Sequence, residues 1–139
     1  MAIKVGGIYA SGMSTRTANE MCRELRAING AVELSDYVVD LCFLTYVPGG
    51  LGSDYAAGTG IQPGAVGRKQ RRFIINLEVP PTLTERATCA AWIGDALAQA
   101  ARITRDYLPR KGKAYPADRL ADEVDELRAR WIAHLSTTA

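Results

Sequence analysis

The sequence predicts an α+β fold, a small and mainly antiparallel sheet of three or four strands packed by helices, in the order β-α-β-β-α-α. Three observations carry this expectation. Residues 71–79 alternate apolar and polar residues with the period of a strand, residues 37–47 are apolar at nearly every position, and three other segments repeat apolar residues at helical spacing. Strands and helices with a single apolar face must bury it against one another, which a sheet layered with helices achieves.

The elements follow in chain order. Ile3, Val5 and Tyr9 share one side of a first strand that Gly6 and Gly7 interrupt. Thr17 and Glu20 have capping-box spacing ahead of a helix whose Ala18, Met21, Cys22, Leu25 and Ile28 share a face, and Asn29-Gly30 stops it. The second strand lies within residues 32–47; its unbroken apolar core, from Tyr37 onward, is the pattern of a strand covered on both sides. The next stretch, Pro48 to Gly67, holds seven glycines and two prolines and is expected to form a long loop rather than a regular element.

The third strand, residues 71–79, places Phe73, Ile75, Leu77 and Val79 on one face and is expected to pair with the second as a hairpin. Pro80-Pro81 ends it. Thr82 and Glu85 again have capping-box spacing, before an alanine-rich helix bearing Trp92, Ile93, Ala96, Leu97, Ala100 and Tyr107 that Pro109 and Gly112 close. Pro116 suits the first turn of a last helix carrying Leu120, Val124, Leu127, Trp131 and Leu135, with a frayed tail beyond. One domain spanning residues 1–139 accommodates all of these elements.

Composition narrows the function. The apolar content of 47% and charged content of 23% belong to a chain that builds a core, not to a disordered one. Seventeen basic residues against fifteen acidic leave a charge of +2, too small for whole-surface attraction to nucleic acid or anionic lipid. No stretch approaches the roughly 18 apolar residues of a membrane span, and the opening residues lack the pattern of a secretion signal, so a cytoplasmic location is expected. Cys22, Cys42 and Cys89 are unpaired in spacing and sit in apolar segments as small hydrophobes. With a single histidine they supply too few ligands for a Cys/His zinc site, which leaves only carboxylate-only metal sites open, and neither metal nor cofactor is expected.

Candidate chemistry is sparse. The glycine-rich stretch has no Gly-Lys-Ser/Thr step, no correctly spaced G-x-G-x-x-G, and leads into a strand where a phosphate loop requires a helix. Arg68, Lys69, Arg71 and Arg72, with Arg110, Lys111 and Lys113, make a local basic cluster without interleaved aromatics; as a solvated strand entry it discourages edge pairing, and as a patch it underlies the alternative of a nucleic-acid or nucleotide-binding module. Asp40 and Glu78 could meet beside Lys4 on one sheet face, either as cross-strand ion pairs or as an acid/base dyad near Tyr46, the alternative of a small enzyme or ligand-binding domain. His134, the only imidazole, lies near the end of the last helix with no nucleophile assigned to it. The expectation is a protein that binds rather than catalyses. Its expected contact residues are Asp54 and Tyr55 in the long loop and Asp118, Asp122, Asp125 and Glu126 on the last helix, the last four forming either a solvated face of ion pairs or an acidic patch facing a basic partner.

The opening IKVGGI, Ile3 to Ile8, and the strand RFIINLEV, Arg72 to Val79, each followed by an amphipathic helix, resemble the immunity protein 39 group of bacterial polymorphic-toxin systems. The resemblance implies a stoichiometric inhibitor that occludes a cognate secreted toxin, with no catalytic residues of its own. The Pro48 to Gly67 stretch and the basic link after the second helix lie outside the matching segments.

Overall fold

The computed structural model describes residues 3–5, 15–30, 37–45, 55–63, 69–80, 82–111 and 116–138. The elements are β1 (Ile3–Val5), α1 (Arg16–Asn29), β2 (Tyr37–Thr45), β3 (Tyr55–Pro63), β4 (Lys69–Val79), α2 (Arg86–Tyr107), a 3₁₀ turn (Leu108–Lys111) and α3 (Ala117–Thr138). The strands lie in the order β1-β2-β4-β3. β1 pairs in parallel with β2, β2 in parallel with β4, and only β3 is antiparallel to its neighbour β4.

The expected α+β class with a mainly antiparallel sheet is therefore corrected on two counts. Helices of 14, 22 and 22 residues outweigh strands of 3, 9, 9 and 11, so the described chain is predominantly helical. The strand pairing is also mostly parallel rather than antiparallel. The physical reason lies in β3: it forms inside the glycine-rich stretch expected to be a loop and occupies the antiparallel place beside β4. β2 is thereby left to pair in parallel along the other side of β4, and no β2–β4 hairpin forms.

The register explains the core. Ile3, Val39 and Phe73 form one cross-strand row, Val5, Leu41 and Ile75 the next, and Phe43 stands beside Leu77; all of these side chains are buried. Strand alternation puts them on one face. The helices cover that face with Met21 and Leu25 from α1, Ile93 and Leu97 from α2, and Leu120, Val124, Leu127 and Trp131 from α3, all without exposed surface. These are the residues whose spacing predicted the helical faces. Tyr107 departs from its expected face and stands about half exposed.

Helix ends differ from the expected caps. The N-cap of α1 is Thr15, whose hydroxyl accepts from the Ala18 N–H and donates to the Leu83 carbonyl; Thr17 lies inside the helix and donates to the Thr84 carbonyl. α2 starts after Glu85, which makes no side-chain cap bond, so Thr82 does not cap it. Pro116 directly precedes α3, and that helix continues through Thr138 rather than fraying after Leu135. At the end of α1, Gly30 adopts φ 76°, a left-handed conformation that favours glycine, and its N–H donates to the Arg26 carbonyl. Two side chains of α1 also take up carbonyls of β1: Arg26 Nε donates to Val5 O at 3.1 Å and Asn29 Nδ2 to Ile3 O at 2.7 Å.

Candidate partner-binding surface

α3 buries Leu120, Val124, Leu127 and Trp131, and the same helical period turns Asp118, Asp122, Asp125 and Glu126 outward, where all four are exposed. Two of these carboxylates are held from a neighbouring helix. Arg105 of α2 places Nη2 at 3.3 Å from Asp122 Oδ1 and 3.2 Å from Asp125 Oδ2. The acidic side of α3 is thus braced across the α2–α3 seam, which a reading confined to i,i+4 pairs within one helix does not reveal. Exposed pairs of this kind contribute only about 0.2–1 kcal/mol each, so their main effect is to orient the carboxylates.

The other expected contact residues lie elsewhere. Tyr55 is the first residue of β3 rather than the centre of a loop, and Asp54 lies outside the described residues, as do Tyr9, Tyr46, Arg68 and Lys113. α3 packs on α2 and reaches β1, whereas β3 forms the opposite edge of the sheet. Tyr55 and the α3 carboxylates are therefore not brought together.

The register also separates the two strand carboxylates. Asp40 is the partner of Lys4, whereas Glu78 is the partner of Leu44, four residues farther along β2. At about 3.3 Å per residue the two positions are roughly 13 Å apart along the strands. Carboxylates perturb one another strongly only within a few ångströms, so this spacing removes the acid/base dyad and leaves Asp40 beside Lys4 on adjacent strands.

A cluster that the sequence does not signal joins all three helices. Glu24 of α1 receives Arg86 of α2 in a two-pronged contact, Nη1 to Oε2 at 2.8 Å and Nη2 to Oε1 at 3.0 Å. His134 of α3 places Nε2 3.3 Å from the same Oε1, and its ring stacks on Trp131 with centroids 5.8 Å apart. The hydrogen bonds from Arg86 hold the Glu24 carboxyl below its ordinary value; burial opposes them and His134 adds to them. A carboxyl depressed in the folded state adds stability that is complete above its unfolded value and disappears as the pH falls through the folded value. Wild type is therefore expected to exceed Glu24→Gln by up to about 1 kcal/mol near neutrality, since both partners are partly solvated, and by nothing once acid protonates Glu24. Urea unfolding of both proteins from neutral to acid pH measures this difference; a gap unchanged with pH would disprove the assignment.

The buried thiols are not poised for nucleophilic attack. Burial, reinforced by Cys89 and opposed by Arg26, pushes the Cys22 thiol up to about 12; burial opposed by Arg86 pushes the Cys89 thiol up to about 11. Both stay protonated at neutral pH, and the thiolate is the reactive form. Among the described residues no group of three histidine, cysteine or carboxylate side chains is placed to hold a metal, and no helix is long and apolar enough to cross a membrane. Comparison with protein families, with curated proteins and with solved structures returns no match.

Proposed function

We propose that the protein is a bacterial immunity protein, acting in the cytoplasm as a stoichiometric inhibitor of a cognate toxin. The observation that carries this reading is the acidic side of α3, where Asp118, Asp122, Asp125 and Glu126 are exposed and Arg105 orients two of them. A surface of preordered carboxylates complements the basic cleft of a toxin that acts on nucleic acid, and complementary charge speeds association and selects the partner. The resemblance of the Ile3–Ile8 and Arg72–Val79 segments to the immunity protein 39 group points the same way. Inhibition by occlusion asks nothing of a catalytic group, only a rigid scaffold, and the packed helices supply one.

Co-expression with the protein encoded directly upstream tests the proposal. The neighbour is expected to be toxic alone, harmless with this protein and recovered in a complex with it. A double charge reversal, Asp118→Lys with Glu126→Lys, is expected to weaken that complex about tenfold or more at low salt and far less at high salt, because screening shortens the reach of exposed charges. A neighbour that is harmless alone and does not co-purify overturns the proposal.

A further inference from the structure

α3 keeps one face away from the core along its whole length. At about 100° per residue, the four carboxylates of its first half and Ala129, Ile132, Ala133 and Ser136 of its second half share one sector roughly 120° wide, and all of them are exposed. The character of the sector changes at Ala129. Ahead of it the sector holds acids alone; from Ala129 onward it holds no charge, and Arg130, at the border, donates to the Ile28 carbonyl of α1 at 3.4 Å. Ile132 and Tyr107 are the large hydrophobic side chains exposed among the described residues, Ile132 at 43%. Ala129, Ala133 and Ser136 are small, so Ile132 stands proud of its surroundings. A lone exposed isoleucine is ordinary on a protein surface. One set among small residues, at the end of a row of oriented carboxylates, has the layout of an interface anchor bordered by charge.

We infer that Ile132 is the apolar anchor of the toxin-binding surface, seated in an apolar socket of the toxin while the carboxylates meet its basic cleft. The inference rests on the toxin-inhibitor reading and adds what the toxin must present. Ten residues separate Asp122 from Ile132, about 15 Å at 1.5 Å per residue, so the toxin needs a basic surface and an apolar socket about that far apart along one groove. Clefts that hold single-stranded nucleic acid combine those two features, basic groups for the backbone and aromatic faces for the bases. To such a cleft α3 offers carboxylates where phosphates bind and a hydrophobe where a base stacks, which excludes the substrate at both places. Charge disfavours two other occupants. The carboxylates repel an anionic membrane surface. A second copy laid along the strip sets acid against acid if parallel, and each acidic half against the other's uncharged half if antiparallel, so neither arrangement pairs the charges it buries.

Binding of the full chain to the protein encoded directly upstream supplies the test. Ile132→Ala is expected to raise the dissociation constant about tenfold or more at low and high salt alike, through faster dissociation, whereas Asp118→Lys with Glu126→Lys acts mainly at low salt. Ile132→Leu keeps the apolar bulk and should stay within about threefold of wild type. If Ile132→Ala does not fold, hydroxyl-radical footprinting of the wild-type complex decides: oxidation of the Ile132 side chain should fall severalfold on binding. A complex that Ile132→Ala leaves unchanged, or an Ile132 side chain oxidised equally with and without the partner, overturns the inference. If the charge reversal still weakens that complex, the toxin-inhibitor reading stands without it. A neighbour that does not bind overturns both. A dimer of this chain alone, seen by sedimentation equilibrium and dispersed by Ile132→Ala, assigns the anchor to a second copy and overturns the inference as well.

Discussion

Replacing Trp131 with alanine is expected to cost about 3–5 kcal/mol, a large part of the roughly 5–15 kcal/mol that holds a globular chain folded. Trp131 is the largest fully buried side chain among the described residues, and it belongs to α3, which packs on α2 and also contacts α1. Its removal from a close-packed core leaves a cavity that the neighbours fill only in part, so the loss exceeds the transfer free energy of the ring alone. It also removes the surface on which His134 stacks, and with it the support that holds the His134 Nε2 beside Glu24. Equilibrium unfolding in urea should show a lower midpoint with little change in slope. Trp131→Phe separates packing from hydrogen bonding: the indole Nε1 has no hydrogen-bond partner among the described residues, so phenylalanine forfeits area and no bond, and its cost should be less than half that of alanine. An alanine variant within about 1 kcal/mol of wild type would contradict the docking of α3.

Local periodicity made the helical faces legible. Ala18, Met21, Cys22 and Leu25 on α1, and Leu120, Val124, Leu127 and Trp131 on α3, are buried as their spacing requires, and the alternation of Phe73, Ile75, Leu77 and Val79 marks the core face of β4. The direction in which strands pair was not legible. An apolar run such as Tyr37 to Thr45 records that a strand is buried, and the sequence contains no local term for the identity or direction of its neighbour. β3 was hidden for a different reason: Gly58 and Gly60 lower strand propensity, and pairing with β4 overrides it. The cap of α1 depended on distant partners as well, because Thr15 and Thr17 donate to carbonyls of Leu83 and Thr84 that lie on the approach to α2.

The candidate site divides in the same manner. The exposed acids of α3 follow from helical period, but their brace is Arg105, 17 and 20 residues earlier, and no pairwise spacing rule within a helix reaches that far. The Glu24 cluster is more remote still, uniting side chains 62 and 110 residues apart. The α1–α2 and α1–α3 approaches place those side chains together, and the approaches are set by the core. An interaction of this type becomes visible only after the helices are docked.

Phe43→Ala is the second large change, with an expected loss of about 3–5 kcal/mol, and it tests the layer between sheet and helices rather than the helix bundle. Phe43 is fully buried on β2, stands beside Leu77 of β4 in the parallel register, and meets Trp92 of α2 edge to face at 6.1 Å and 63°. The contact therefore links the central strand pair to the helix that follows β4. Such aromatic pairs contribute about 0.5–1.5 kcal/mol beyond the area they bury, so a double-mutant cycle of Phe43→Ala and Trp92→Ala should show coupling of that size. Trp92 is only partly buried, and its single substitution should cost less than that of Phe43. The cycle also discriminates between pairing arrangements: if β2 and β4 formed the antiparallel hairpin that the sequence led one to expect, Phe43 would face a different stretch of β4 and of α2. Two substitutions that simply add would then show that α2 does not lie over Phe43, whereas coupling ties the parallel register to the helix layer above it.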